Sequence, residues 1–514
     1  MSFEEYTIFE AENKTGRIIF SKENNSFYFF TNDEIYYKLN GTYSESNGSY
    51  KLFCDNNISG SFETKETTYT FFIDYQSGNY YREGTFLREI KDIIIQTPEG
   101  LDCDDLTDEE LKNFDPKLSK SFCMAPWVHL YMQSSGMVFP CCKAKKSLLG
   151  NLNQQTFFEI WNSAKLKKIR KNMIKGKSIP SCEFCDINEK RWGESYRTFF
   201  NNFFAHHNSD IKNTNKDGSL DKLKLGYADL RISNLCNLKC RTCSSHSSSA
   251  WYEDEKKLGW NTSKVKVYNL WKSLKEQIPE ILDTVERINF AGGEPLLIEE
   301  QYEIIDELIK RKKTDIDLTY NTNFTNLNYK NYNILSKWKH FKNLTIKASL
   351  DGIKERGEYI RYGLKWDEFL NNRFLLHRHA PHAVFKIFVT VQVFNVLHLP
   401  EMYEYLLKYK FIDNNLSSFH LSFLTEPKIY DIRSLPDNIK QKVSNTYNSF
   451  FEKYHNNEKL IKHFSKVLTV LYDRSYDVKE LFKTTTLQLD NIRRENVVSI
   501  FPELNEYFKE CKII

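Results

Sequence analysis

Between residue 223 and about residue 425, six short strand candidates alternate with amphipathic helical stretches, and this repeat constrains the fold more than any other feature of the chain. The strand candidates are "KLGYADLRIS", "VERINFAGG", "IDLTYNT", "LTIKASLDG", "FKIFVTVQVFN" and "SFHLSFL"; stretches such as "EEQYEIIDELIKRKK" and "LPEMYEYLLKYK" lie between them. Parallel neighbours need a long crossover, which a helix supplies, so the repeat predicts an α/β fold with a parallel sheet in the form of an incomplete, TIM-like (β/α)6 barrel. In such folds the groups that do chemistry gather at the C-terminal ends of the strands.

The first strand candidate runs into "SNLCNLKCRTCSS", where Cys236, Cys240 and Cys243 fall close together without a fourth cysteine. Neither paired CxxC units nor CxxC with HxxxH fits this spacing, although a zinc site completed by His246 or by a distant residue is a competing reading. An iron–sulfur cluster held by three thiolates leaves one iron open to a ligand. The second strand ends in "FAGGEP", where Gly292 and Gly293 permit close backbone approach to a ligand and Glu294 offers an acceptor for an ammonium group. Asn323 ends the third strand, Ser349 and Asp351 stand in "SLDG", Arg361 lies in "EYIRYG", and Gln392 and Asn395 end the fifth strand. Taken singly, each of these reads equally well as a strand-end polar group that satisfies loop backbone.

The CxxxCxxC spacing followed one strand later by GGEP resembles the radical S-adenosylmethionine (SAM) enzymes, over roughly residues 223 to 425. The resemblance implies that Cys236, Cys240 and Cys243 are the catalytic cluster ligands, holding a [4Fe–4S] centre whose open iron chelates SAM and cleaves it to a 5′-deoxyadenosyl radical. It implies SAM-binding roles for Gly292, Gly293, Glu294, Asn323, Ser349, Asp351, Arg361 and Gln392, with Arg361 on the cofactor carboxylate and Arg356 as its competitor. One position departs from the pattern: the aromatic residue expected before the third cysteine is Thr242.

A second group reads "FCMAPWVHLYMQSSGMVFPCC" and then "IPSCEFCDINEKRWGESYR". Its order, Cys123, Gly136, Cys141 and a later Cys182-x-x-Cys185, resembles the auxiliary-cluster module called SPASM, in its shortened twitch form. The resemblance implies a second [4Fe–4S] cluster on these four cysteines; a zinc site on the same thiolates is the alternative. Such a module normally follows the core and here precedes it, so contact between them has to come from tertiary packing or from a partner chain. Cys142, beside Cys141, reads as an alternative ligand, a hydrogen-atom donor or a bystander.

The remaining sequence sets the boundaries. Residues 1–95 alternate as short strands of a β-rich domain, and 96–215 form the cysteine module, with one short helix in its linker and one helix over "TFFEIWNSAKLKKIRKNMIKG" closed by Gly176. Residues 216–430 form the core, and 431–514 a helical extension that reads as a packing appendage. A formal charge of +4 over 514 residues argues against a nucleic-acid partner. An acidic start without a signal region, and no long apolar run, predict a cytoplasmic protein off the membrane. There the eleven cysteines stay reduced, which favours metal ligation over disulfides. These readings combine into an oxidoreductase that takes a hydrogen atom from an unidentified substrate and depends on an external one-electron reductant. A peptide or protein substrate is favoured, because the β domain offers edges for strand addition. The alternatives are an epimerase, a small-molecule dehydrogenase, or a zinc- or cluster-stabilised binding protein without turnover.

Overall fold

The computed structural model describes the backbone of the strands between residues 3 and 94, and residues 104–260, 267–473 and 478–508. Two compact units result, Met1–Leu106 and Thr107–Ile514. In the first, eight strands form one sheet in the chain order first, second, third, fourth, fifth, seventh, sixth, eighth. Cys54 ends the fifth of these strands; Cys103 and Cys511 lie outside the described residues.

The second unit opens with the short linker helix, Asp108–Asn113, which a reciprocal cap between Thr107 and Glu110 starts. Its sheet has nine strands: β1 (His129–Met132), β2 (Met137–Phe139), β3 (Gly150–Asn151), β4 (Tyr227–Leu230), β5 (Arg287–Phe290), β6 (Asp317–Thr322), β7 (Asn343–Ser349), β8 (Val384–Val391) and β9 (Phe419–Phe423). The order across the sheet is β3-β2-β1-β4-β5-β6-β7-β8-β9. All six strand candidates are present as β4 to β9, and each pairs in parallel with the next.

The cysteine module is an extension of this same sheet. Strand β1 pairs in parallel with β4, setting Leu130 opposite Ala228 and Tyr131 opposite Asp229, while β2 and β3 fold back antiparallel beyond it. The module and the core are therefore joined within one chain, through backbone hydrogen bonds.

Parallel strands buried on both faces read as continuous apolar runs. Here they alternate instead. The transverse row Leu130, Ala228, Ile288, Leu318, Leu344 is apolar and buried, and the row beside it is Tyr131, Asp229, Asn289, Thr319, Thr345. Helices cover the apolar face: Tyr320 donates to Gln301 of the helix Glu299–Lys310, Phe385 packs on Phe369 of Trp366–His379, and Phe419 packs on Tyr403 of Leu399–Lys408. The other face is polar and carries Asp229, Arg287, Asn289, Asn321, Lys347 and Lys386, with Arg231 just past the end of β4. At the start of β4 and β5 it is closed over by Phe199 and Phe203 of the module's helix Tyr196–Phe203, which lie against Arg287.

One helix expected as continuous is two. Phe157–Trp161 stops at Asn162, and Ser163 caps a new helix, Ala164–Ile174, by accepting from the Leu166 N–H. A serine that satisfies a free N–H starts a helix more readily than it continues one. Gly176 closes the second helix with φ +67°, as its position predicts. The C-terminal extension is helical, as expected, over Asp437–Lys453, Glu458–Leu471, Lys479–Arg493 and Val497–Ile500.

Because Leu130 is buried in the row that joins module to core, Leu130→Ala should cost about 2–5 kcal/mol, read from urea unfolding. Loss confined to one of the two cysteine regions, with the other unfolding unchanged, would contradict a shared sheet.

Candidate functional site

The loop after β4 carries Cys236, Cys240 and Cys243 and is held on both sides. On one side Gly293 N–H donates to Ser233 O at 2.9 Å and Glu294 N–H to Leu235 O at 2.7 Å. A Cβ on Gly293 would stand 2.2 Å from Leu235 O, and one on Gly292, at φ +119°, 2.6 Å from Ser233 O. The glycine pair therefore admits the backbone of the cysteine loop, where the sequence suggested approach to a ligand. On the other side Cys240 pairs across a short ladder with Arg361, and Arg241 N–H donates to Ile360 O.

Asn323, past the end of β6, and Arg361 stand beside the thiols, with groups from the ends of β7 and β8 behind them. Asn323 Nδ2 donates to Asn237 Oδ1 at 2.9 Å and lies 3.9 Å from Cys236 Sγ. Arg361 Nη1 lies 3.6 Å from Cys240 Sγ, while its Nη2 pairs with Asp351 Oδ2 at 2.9 Å. Asp351 Oδ1 accepts from Thr390 N–H at 2.7 Å, and Asn395 ties Asp351 O to Thr390 O. Gln392 N–H donates to Asn395 Oδ1. Ser349, half-buried, ends β7 opposite Phe388.

Two anticipated cofactor contacts are engaged within the protein. The Glu294 carboxylate accepts from Leu296 N–H, the Thr322 hydroxyl and Asn323 N–H at 3.0, 2.6 and 2.6 Å, and burial pushes its pKa up to about 7. It fixes the end of β6. Arg361 is spent in part on Asp351. Its competitor Arg356 pairs instead with Glu401 at 3.0 Å. His246 is exposed, its ring edge-on to Tyr268.

The chemistry of the donors fits an iron–sulfur centre. Burial, then the neighbouring Cys240, pushes Cys236 up to about 12. Cys240 moves down, through the hydrogen bond from Cys243 and the Arg361 charge. Clustered buried thiols ionise uphill unless a cationic centre takes them as ligands. Unmet polar groups lie nearby: among the described residues, both amide atoms of Gln392 and the side-chain oxygens of Asn289 and Asn321 are buried without a protein partner.

The second set converges as closely. Cys123, Cys141, Cys182 and Cys185 all line one small cavity, together with Tyr196 and Phe200. Cys123 precedes the helix Ala125–Val128, Cys141 follows β2, and Cys182 and Cys185 open the helix Glu183–Trp192. Burial pushes Cys141 up to about 12, with Cys142 adding, and Cys182 up to about 11. Cys142 is not among the lining residues; it lies by the Tyr196 hydroxyl and near Asp229 and Arg231.

Sequence reasoning missed Arg241. It sits between two cluster cysteines, is 1% exposed, and pairs with Asp490 and Glu495 at 2.5 and 2.8 Å, its guanidinium 3.7 Å from the Tyr359 ring centre. Arg493 pairs with Asp254, and Trp251 donates to Cys240 O. The C-terminal extension, read as an appendage, thus braces the cysteine loop. A charge inside the CxxxCxxC segment was the available signal, but its partners lie 249 and 254 residues away.

Asp490→Ala leaves that buried guanidinium short of a partner and should cost about 3–5 kcal/mol, with iron lost preferentially from the three-cysteine site. Equal iron retention at both sites would show that the brace does not serve the loop. On the polar face, burial and then Arg287 lower Lys347 from 10.5 to about 8. Between those values the unfolded chain holds a proton that the folded chain has shed, so this residue makes stability rise with pH. The difference between wild-type and Lys347→Met unfolding curves should show that slope from about pH 8 to 10.5, and a flat difference would refute it.

A family model of an iron–sulfur cluster-binding domain, SPASM, matches residues 123–186, and a model of the radical SAM superfamily matches residues 230–406. No curated protein matches the chain. Among solved structures it is similar to anSMEcpe with bound AdoMet and the Cp18Cys peptide, at 19% identity over 45% of this chain and 61% of that one, TM-score 0.31. It is also similar to anSMEcpe with bound AdoMet, at 20% identity over 45% and 60%, TM-score 0.32, and to the histidine-tagged form of that protein, at 18% over 50% and 66%, TM-score 0.33. The chain thus spans under two thirds of the length of those proteins, and a likeness of this extent says nothing of its substrate. The superfamily domain brings a [4Fe–4S] cluster and SAM, and the SPASM domain brings further iron–sulfur ligation. The chain thus carries a radical SAM superfamily domain and, ahead of it, an iron–sulfur cluster-binding SPASM domain.

Proposed function

We propose that this protein is a radical SAM oxidoreductase that removes a hydrogen atom from a carbon of its substrate, and that the substrate is a peptide or protein. What supports this most is the placement of two cysteine sets on one sheet. The set of three stands in the loop at the C-terminal end of β4. The set of four lines a cavity that shares Phe200 with the polar face, where Phe200 packs against Tyr227. Cys236, Cys240 and Cys243 would hold the SAM-binding cluster and Cys123, Cys141, Cys182 and Cys185 the second, supplying respectively the electron that cleaves SAM to a 5′-deoxyadenosyl radical and a one-electron acceptor.

The chain's own residues do the rest. Asp351 holds Arg361 so that a positive charge stays beside Cys240, and Asn323 sets a donor near Cys236. Gln392, Asn321 and Asn289 offer unused polar atoms to a bound cofactor or substrate. Phe199 and Phe203 close one end of the polar face with hydrocarbon, which keeps water from reactive carbon centres. The six-stranded core reads as an incomplete barrel whose lumen is that face. The peptide reading rests on the β-rich first unit, an eight-stranded sheet from Phe3–Ala11 to Lys91–Ile94. An external reductant and a cytoplasmic setting belong to the same reading; no helix of the described residues is long and apolar enough to cross a membrane.

Cys142 favours a second reading. A thiol beside the auxiliary cavity but not lining it, near Asp229 and Arg231, suits return of a hydrogen atom, which would make the reaction an epimerisation. Solvent deuterium at the reacting carbon would select that reading; a product two hydrogens lighter selects oxidation.

Anaerobically reconstituted protein should release 5′-deoxyadenosine from SAM under reducing conditions. Replacing Cys236, Cys240 and Cys243 by alanine should abolish this, whereas replacing Cys123, Cys141, Cys182 and Cys185 should remove about half the iron and leave SAM cleavage. Unchanged cleavage in the triple variant would defeat the proposal, and a colourless protein holding zinc at the four thiolates would defeat the second cluster.

A further inference from the structure

Outside the cysteine sites, His206, His207 and Glu286 bring one ligand atom each within 4.8 Å of one another. His206 Nε2 is 2.7 Å from Glu286 Oε2, and His207 Nε2 is 2.5 Å from Glu286 Oε1. His207 turns its other ring nitrogen, Nδ1, to Asp210 Oδ2 at 2.8 Å, and Lys224 stands 3.4 Å from that same oxygen. The histidines belong to the segment Ala205–Asn213, which links the cysteine module to the core. Glu286 immediately precedes β5, and its N–H donates to Gly226 O. The cluster therefore lies at the N-terminal end of β5, the opposite end from the GGEP loop.

We propose that His206, His207 and Glu286 bind one divalent transition-metal cation of the Zn²⁺ type, which pins the linking segment to the base of the core sheet. Two imidazole nitrogens and one carboxylate oxygen form a donor set that borderline cations prefer and that Mg²⁺ and Ca²⁺ do not. Asp210 supplies what a metal-binding histidine usually has behind it, a carboxylate on the far nitrogen that fixes the ring and its tautomer. His207 thus meets a carboxylate oxygen at each ring nitrogen, Glu286 at Nε2 and Asp210 at Nδ1. With a cation at Nε2, Nδ1–H donates to Asp210 Oδ2. Side-chain exposures of 19% for His207, 36% for Glu286 and 57% for His206 leave one side open, so water completes the coordination and the metal exchanges with solvent. None of the residues assigned to SAM or to the clusters takes part, and the site stands whether or not the proposed reaction does.

The test uses the full chain with its clusters loaded, titrated anaerobically with Zn²⁺ against a chromogenic chelator and followed by zinc X-ray absorption. One equivalent should bind with a nitrogen and oxygen shell at about 2.0–2.2 Å and no sulfur. His207→Ala and Glu286→Gln should each weaken it by about tenfold or more, with iron content and SAM cleavage unchanged. His206→Gln, at the most exposed of the three positions, should weaken it as well without risk to folding. A zinc shell containing sulfur, an affinity unaltered in all three variants, or no binding at all would overturn the proposal.

Discussion

One strand pairing, that of His129–Tyr131 with Tyr227–Asp229, sets this protein's two cysteine regions on one sheet. Nearly a hundred residues separate the two strands, yet their ladder makes the cysteine module the edge of the core sheet. Neighbouring strands lie about 4.8 Å apart and side chains alternate strictly between faces, so the pairing fixes which residues of the module meet which face of the core. Tyr131 joins the polar row and Leu130 the buried apolar one. A slip of one residue would exchange them, placing Leu130 on the polar face and Tyr131 among hydrocarbon.

Built on that frame, the site is held mostly by groups that touch one another rather than a ligand. Glu294 fixes the end of β6, Asp351 fixes Arg361, Asn395 fixes the loop around Asp351, and Arg241 anchors the cysteine loop to Asp490 and Glu495. Buried charges of this kind are costly to desolvate and gain their worth from complete pairing. Their value here is positional: together they keep several loops in one geometry.

Much of this was legible in the residues themselves. The six strands of the core announce themselves by local composition and by the helical periodicity between them, and the two cysteine sets by spacing, because both signals are short-range. The grouping of Cys123, Cys141, Cys182 and Cys185 came from resemblance; in the structure all four line one cavity. What spacing could not supply was direction. The GGEP glycines make room for the backbone of Ser233 and Leu235, and Glu294 turns to Thr322 and Asn323. A polar residue at a strand end has several partners within reach, and only the neighbouring loop's position chooses among them.

The amino-acid sequence by itself determined the α/β class, the order of the core strands, the two clustered sets of cysteines, and a helical C-terminal extension, since each rests on periodicity or spacing within a few tens of residues. Tertiary structure alone decided that the module joins the core through β1, that the C-terminal extension braces the cysteine loop through Arg241, that Cys142 stays out of the cavity lined by its neighbour, and that His206 and His207 meet Glu286. The physical reason is common to all four. A charged or hydrogen-bonding side chain pairs with whatever complementary group packing brings within about 3 Å, and packing is settled by the burial of apolar rows whose members lie tens to hundreds of residues apart.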